Sequence, residues 1–223
     1  MVWFAHLFVK LTGWLPHVFA FRKKIYYEDK KSQGRRIKGK AIIISNHYTV
    51  WDYPLLMFVF IHRTLRCQIA ELMYRKNVFM TLLLKALGGV KVDRNSHDFS
   101  FINKSTKLLN KNKVLTIFPE SRIPRPEEET PLPFKPSAVY LALSSGAPII
   151  PVAVSGKYFG KKRAAVMIGK TIDVREWYQS ELSEKENIDY INNKLREKVI
   201  ELKNELERRT NGKTKKAQEK AGE

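Results

Sequence analysis

A single cysteine in 223 residues, Cys67, excludes an internal disulfide and a thiolate-held zinc site, and suits a reducing compartment. Acidic residues are scarce. The 22 Asp and Glu stand against 41 Lys and Arg, a formal charge of +19, so the molecules this chain meets are expected to be anionic. Nucleic acid, anionic lipid and a phosphorylated substrate all qualify. The first apolar run does not read as a secretory signal: no basic stretch precedes it, no A-x-A cleavage site follows it, and Gly13 and Pro16 interrupt it. The chain has no GxGxxG, no HExxH and no GxSxG elbow. The stretch "GRRIKGK", Gly34 to Lys40, imitates a phosphate-binding loop, but Ala41 stands where a hydroxyl should hold magnesium. It also precedes a strand instead of joining a strand to a helix. No internal repeat is visible.

What is present suffices for one sizeable core, since apolar residues make up 43% of the chain. The opening "MVWFAHLFVKLTGWLPHVFAF" carries one formal charge, Lys10. Trp3, Leu7, Leu11, Trp14 and Val18 recur at helical spacing with Phe4, Phe8, Leu15 and Phe19 beside them, while His6, Lys10, Gly13 and His17 form a narrower opposing stripe. This predicts an amphipathic interfacial element, broken into two short helices near Gly13 to Pro16. The next stretch, "RKKIYYEDKKSQGRRIKGK", sets nine basic residues against Glu28 and Asp29, which favours anionic lipid. The alternative is an aromatic stripe that packs on the domain.

Beyond Lys40, short apolar runs at 41–45, 66–70, 89–93, 113–118, 149–154 and 164–168 read as strands. Helical patterns at 51–62, 74–87, 98–111 and 136–145 lie between them. The alternation predicts an α/β fold with a mixed, largely parallel sheet flanked by helices. The segment "IPRPEEETPLPFKP" holds five prolines and reads as an extended loop. Ser183 and Glu186 form a capping box, after which Ile188, Ile191, Leu195, Val199, Leu202 and Leu206 mark one face of a long helix. Three segments are expected: 1–34, a membrane-binding helical element and basic linker; 35–209, one catalytic-sized domain with a C-terminal amphipathic helix; and 210–223, a disordered tail.

Three constellations carry chemistry. In "AIIISNHYTVWDYPLL" a strand ends at Asn46 and His47, and Asp52 falls in the first turns of the next helix. Five residues span about 500° of helix, so the two side chains meet only if His47 folds back from the turn before the helix. The pair would then hold one imidazole tautomer and leave the other nitrogen free as a base; otherwise His47 is a core or solvated histidine beside an unrelated carboxylate. No serine elbow or catalytic cysteine accompanies the pair, which suggests a base acting on a substrate hydroxyl. In "LTIFPESRIP", Glu120 and Arg122 sit between two prolines, where the guanidinium fork suits phosphate oxygens; the alternative is a surface salt bridge on a loop. In "GGVKVDRN", Arg94 leaves a strand end and could join Arg122 around one phosphate; otherwise the stretch is a simple turn with a charged rim.

These stretches, in this order and followed by "APIIPVAVSG", resemble the four sequence blocks of the glycerolipid acyltransferases, and most narrowly the bacterial lysophosphatidate acyltransferase family. The resemblance covers roughly residues 35 to 170. It implies that "NHYTVWD" is the family's HxxxxD block, with His47 as general base and Asp52 orienting it. It implies that "GVKVDR" supplies Arg94 to a substrate phosphate, and that "FPESR" supplies Glu120 and Arg122 to the same site. This last block departs from the family's FPEGTR: one residue is missing between glutamate and arginine, and the glycine is gone. "FKPSA" is similar to the family's FKxGA and would turn Lys135 to the site. Segment 35–209 is on this resemblance an acyltransferase domain, acting without a cofactor on lysophosphatidate with acyl-CoA or acyl-carrier protein as donor. Its place would be the cytoplasmic face of the cell membrane, peripheral or monotopic on an anionic bilayer, with no nucleic acid bound. The alternatives are acylation of glycerol-3-phosphate or another lysolipid, a basic nucleic-acid-binding module, and a catalytically silent membrane-surface adaptor.

Overall fold

The computed structural model describes residues 1–93, 100–156, 158 and 163–219, with 212–219 described by backbone alone. Strand β2 (Ala41–Ser45) has every residue buried, as suits a strand with neighbours on both edges and helices on both faces. Around it lie β1 (Lys24–Tyr27), β3 (Leu65–Ala70), β4 (Val90–Val92), β5 (Val114–Ile117), β6 (Ile149–Val154) and β7 (Ala165–Ile168). They form a sheet ordered β1-β7-β6-β2-β5-β3-β4. Every pairing is parallel except β6 with β7. The sheet is therefore mixed and mostly parallel, as the alternating pattern predicts.

The strand period of two splits β2 between two cores. Ile43 joins a layer with Leu55, Leu56 and Val59 of α2 (Asp52–Val59). Ile42 and Ile44 join the opposite layer, with Leu109 of α5 (Ser100–Asn110), Leu141 of α6 (Ser137–Ser145), and Ile191 and Leu195 of α7 (Glu184–Glu219). The stripe expected on α7, from Ile188 to Leu206, is buried throughout. Its capping box forms: the Ser183 amide donates to Glu186 Oε2 at 2.9 Å, and the Glu186 amide to Ser183 Oγ at 3.4 Å.

Four expectations are revised. Helix α7 continues to Glu219, into the stretch expected to be disordered from 210; Lys, Gln and Ala there favour helix by propensity even without an apolar stripe. The helix expected over 74–87 is two, α3 (Glu71–Tyr74) and α4 (Val78–Ala86), because Asn77 Oδ1 accepts from the Met80 amide at 2.7 Å and starts a helix afresh. The basic linker contains β1, an edge strand along β7. Finally, α1 (Val2–Phe21) runs unbroken through Pro16. Gly13 serves close approach rather than a break, since a Cβ there would lie 3.2 Å from the Phe58 ring of α2.

The packing of α1 is opposite to that of an ordinary surface helix. Its narrow polar stripe faces the protein. His6 is buried and its Nε2 donates to Leu87 O at 3.0 Å, while Lys10 Nζ donates to Ile61 O and Arg63 O at 2.8 Å each, beyond the C-terminus of α2. His17 stacks between Phe21 and Phe58, with centroids at 4.8 and 4.0 Å. Burial, helped by the nearby Lys23 ammonium, pulls it down to about 3 and keeps it neutral. The apolar stripe faces outward: Leu11 is 70% and Phe19 71% exposed, and Trp3, Phe4, Phe8, Trp14 and Leu15 are exposed with them. Among the described residues no helix is long and apolar enough to cross a membrane.

The stretch that imitates a phosphate-binding loop is structural. Arg35 donates to Val59 O at 2.7 Å and Phe58 O at 3.1 Å, at the carbonyl end of α2. Lys40 Nζ bonds Ser145 O at the end of α6. Both cations sit where unpaired carbonyls and the helix dipole favour them.

Candidate active site

The strand ends of β2, β5 and β6 position the site. Asn46, fully buried, ties β2 to β6: its Nδ2 donates to Val154 O at 3.0 Å, and the Val154 amide donates to its Oδ1 at 2.8 Å. That bridge fixes the backbone from which His47 leaves. The imidazole stacks on Phe118, just past β5, at 4.3 Å and 22° between planes. Its side chain keeps 17% of its surface exposed, so it lies at a mouth rather than in the core.

Asp52 is the first residue of α2 and has no exposed surface. The turn between it and His47 folds back over the helix start, as the spacing requires. Asp52 Oδ2 accepts from His47 Nδ1 at 2.7 Å, from the Tyr48 amide at 2.6 Å and from the Thr49 amide at 2.8 Å. An oxygen accepting three donors places the imidazole proton on Nδ1, which leaves Nε2 with its lone pair. The phenol of Tyr158 donates to the other oxygen, Oδ1.

Glu120 is brought to the same place but in another role than the one expected. It is buried, its Oε1 accepts from the His47 amide at 2.7 Å and its Oε2 from the Leu132 amide at 2.8 Å. Burial raises its pKa, two backbone N–H donors and His47 oppose that, and the Asp52 carboxylate adds to it. A buried carboxylate with both oxygens engaged repels a phosphate; Glu120 instead clamps the proline-rich loop to the backbone of His47. The shortened "FPESR" turn is closed by Ser121, whose amide donates to Phe118 O at 3.0 Å at a left-handed φ of 64°. It takes the conformation that a glycine would favour.

Arg122 is exposed, and its fork is engaged by Glu128 at 2.6 and 2.5 Å. The pairing, with a further bond from the Arg125 amide, lowers Glu128 to about 2. Arg94 lies outside the described residues. Lys135 is exposed and lines a cavity of about 580 Å³ with Phe101, Ile102, Ile117, Phe118, Ser121 and Tyr140. Phe118, the ring beneath His47, is one wall of it, so the cavity and the imidazole share a side chain. Among the described residues no three carboxylate, imidazole or thiol groups are placed to share a metal ion. Sequence reasoning missed Tyr158, which follows no spacing rule and reaches Asp52 from 106 residues away. The bridge that Asn46 makes to Val154, 108 residues away, is likewise marked by no local pattern.

An acyltransferase family model matches residues 23–155. The chain is 25% identical over 148 residues to the human 1-acyl-sn-glycerol-3-phosphate acyltransferase beta, a match covering 66% of this chain and 52% of that protein. It is 28% identical over 137 residues to the 1-acyl-sn-glycerol-3-phosphate acyltransferase of Bacillus subtilis (strain 168), covering 59% and 66%. The matches thus span about half of the human relative and just under two thirds of the bacterial one. In fold, the chain is similar to the crystal structure of the 1-acyl-sn-glycerophosphate (LPA) acyltransferase PlsC from Thermotoga maritima, with a TM-score of 0.57 and 20% identity over 82% of this chain and 73% of that one.

Proposed function

The chain belongs to the acyltransferase family, and from that premise we propose that it moves a fatty acyl group from an acyl thioester to the sn-2 hydroxyl of lysophosphatidate, giving phosphatidate. One observation carries the reading. An imidazole held through Nδ1 by a buried carboxylate keeps Nε2 free at a partly open mouth, with no serine elbow or catalytic cysteine in the sequence to take the acyl group first. His47 Nε2 takes the proton of the acceptor hydroxyl as its oxygen attacks the thioester carbon. Asp52 stabilises the imidazolium that forms. Collapse of the tetrahedral intermediate breaks the carbon–sulfur bond, and the thiolate leaves with the proton from His47. Arg94 and Arg122 are assigned to the substrate phosphate, Arg122 by exchanging Glu128 for it. The cavity walled by Phe101, Ile102, Ile117 and Phe118 offers an apolar place for an acyl chain beside the base.

The test is product analysis with lysophosphatidate and either acyl-CoA or acyl-carrier protein, both acidic donors suited to the +19 chain. Phosphatidate as product supports the reading. Turnover only of glycerol-3-phosphate or of another lysolipid would reassign the acceptor, and no transfer to any acceptor would overturn it.

The reading places the enzyme on the cytoplasmic face of the cell membrane, with the outward apolar stripe of α1 in the headgroup region. Leu11, Leu15 and Phe19 make no use of the inward stripe, so their replacement by serine should spare the fold. Each side chain contributes about 1.5 kcal/mol or more when fully buried in apolar surroundings, so the triple variant should lose more than about a hundredfold in affinity for anionic vesicles. Flotation reads this, and undiminished binding would remove α1 as the anchor.

A further prediction concerns the clamp. Glu120→Gln keeps one acceptor but turns an NH₂ toward one of two backbone N–H donors. Losing a hydrogen bond to a charged group, worth about 1.5–3 kcal/mol, should lower kcat/KM by about 10- to 100-fold. The 124–136 loop should also open to protease. Full activity with an intact loop would contradict the clamp.

A further inference from the structure

We propose that Tyr158 is a positioning residue for the His47–Asp52 pair: its phenol holds Asp52 Oδ1, so that Oδ2 stays turned on the imidazole. The proposal rests on the acyl-transfer reading for its effect on rate, but its geometry stands apart from the substrate.

The two oxygens of Asp52 are held by different parts of the chain. Oδ2 is served by residues 47, 48 and 49, all in the turn that leads into α2. Oδ1 takes the phenol of Tyr158, which lies beyond the end of β6. The local donors alone leave the second oxygen of a fully buried carboxylate without that partner, and a buried acceptor stripped of its donor is costly. The phenol therefore sets the plane of the carboxylate. Burial first, then the neighbouring Asp52 charge, push the Tyr158 hydroxyl upward, so it remains a donor throughout the range in which an imidazole base works.

The sequence prepares this reach. Gly156, at φ 65°, lets the chain leaving β6 cross the Tyr48 ring: a Cβ there would fall 2.4 Å from Tyr48 Cγ. Tyr48 is itself held, its amide on Asp52 Oδ2 and its hydroxyl 3.1 Å from Thr130 Oγ1. The Tyr158 ring meets Phe21 edge to face at 5.4 Å, and Phe21 stacks on His17. The carboxylate that orients the base is thereby tied to the last turn of α1, the helix assigned to the membrane.

Tyr158→Phe keeps the ring and its contact with Phe21 and removes only the hydroxyl. In the full chain, the loss of one hydrogen bond to a charged group should lower kcat roughly tenfold, with the KM values for lysophosphatidate and thioester nearly unchanged. A carboxylate no longer held on the imidazole stabilises the imidazolium less, so the acidic limb of kcat/KM should move down by about half to one pH unit. Glu120, which accepts from the His47 amide, and the Tyr48 and Thr49 amides on Asp52 Oδ2 keep their bonds in this variant. Unchanged kcat and an unmoved limb would overturn the proposal. So would a loss expressed only in KM, which would make the hydroxyl a substrate ligand.

A readout independent of turnover separates this from failure of the acyl-transfer reading. The pH profile of His47 modification by diethyl pyrocarbonate, followed by peptide mass spectrometry, should shift downward in Tyr158→Phe by the same amount as the limb. If the native chain acylates no acceptor, the function fails while this shift still supports the positioning role. Superimposable modification curves overturn the role whatever the activity.

Discussion

His47→Ala is expected to lower kcat by about 10²- to 10⁴-fold, the range that general-base assistance supplies, while the protein remains folded. The second half of that expectation follows from geometry. The imidazole lies at a mouth with 17% of its side chain exposed, and its removal gives up the Phe118 stack and one bond to Asp52. Asp52 is not orphaned, because the Tyr48 and Thr49 amides and the Tyr158 phenol still serve it. Glu120 bonds the backbone amide of residue 47, which alanine retains. Stability should therefore fall by only about 1 kcal/mol, the net value of an ordinary hydrogen bond. Phosphatidate formation and a melting curve, measured side by side, read both quantities. Turnover retained in a folded variant would remove His47 from the chemistry; an unfolded variant would contradict the account of its surroundings.

The parts of this architecture that were legible beforehand are those encoded over a few residues. The run Ala41–Ser45 announces a buried strand, and the spacing from Ile188 to Leu206 announces one buried helix face. The meeting of His47 and Asp52 follows from a strand ending where a helix starts. What stayed hidden depends on partners distant in sequence. Nothing around Tyr158 marks it as a neighbour of Asp52, and no local rule says that both oxygens of Glu120 are taken by backbone amides. The inversion of α1 is instructive in another way. Its amphipathic pattern is plain, but which stripe faces the protein is decided by carbonyls at 61, 63 and 87 and by the Phe58 ring, which accept Lys10, His6 and His17. Basic charge misleads similarly: Arg35, Lys40 and Arg63 are spent on carbonyl oxygens within the fold, so net charge overstates what remains for lipid or phosphate.

Asp52→Asn should separate the charge of the carboxylate from its geometry. The Tyr48 and Thr49 amides both donate to Oδ2 and demand an oxygen there, which turns the new NH₂ toward Tyr158. The phenol oxygen can accept from it, so the side chain stays satisfied and His47 Nδ1–H keeps its acceptor. The imidazole tautomer should survive, and the loss that follows a flipped tautomer, about 10⁴-fold, is not expected. What disappears is a negative charge beside the imidazolium of the transition state. At a separation near 4 Å and an effective dielectric of about 20, that attraction is about 4 kcal/mol, or about a thousandfold in kcat. A decrease of this size with KM little changed would mark stabilisation of developing charge. A decrease below about tenfold, the scale of one exchanged hydrogen bond, would reduce Asp52 to an anchor for the turn and leave His47 working without a carboxylate's help.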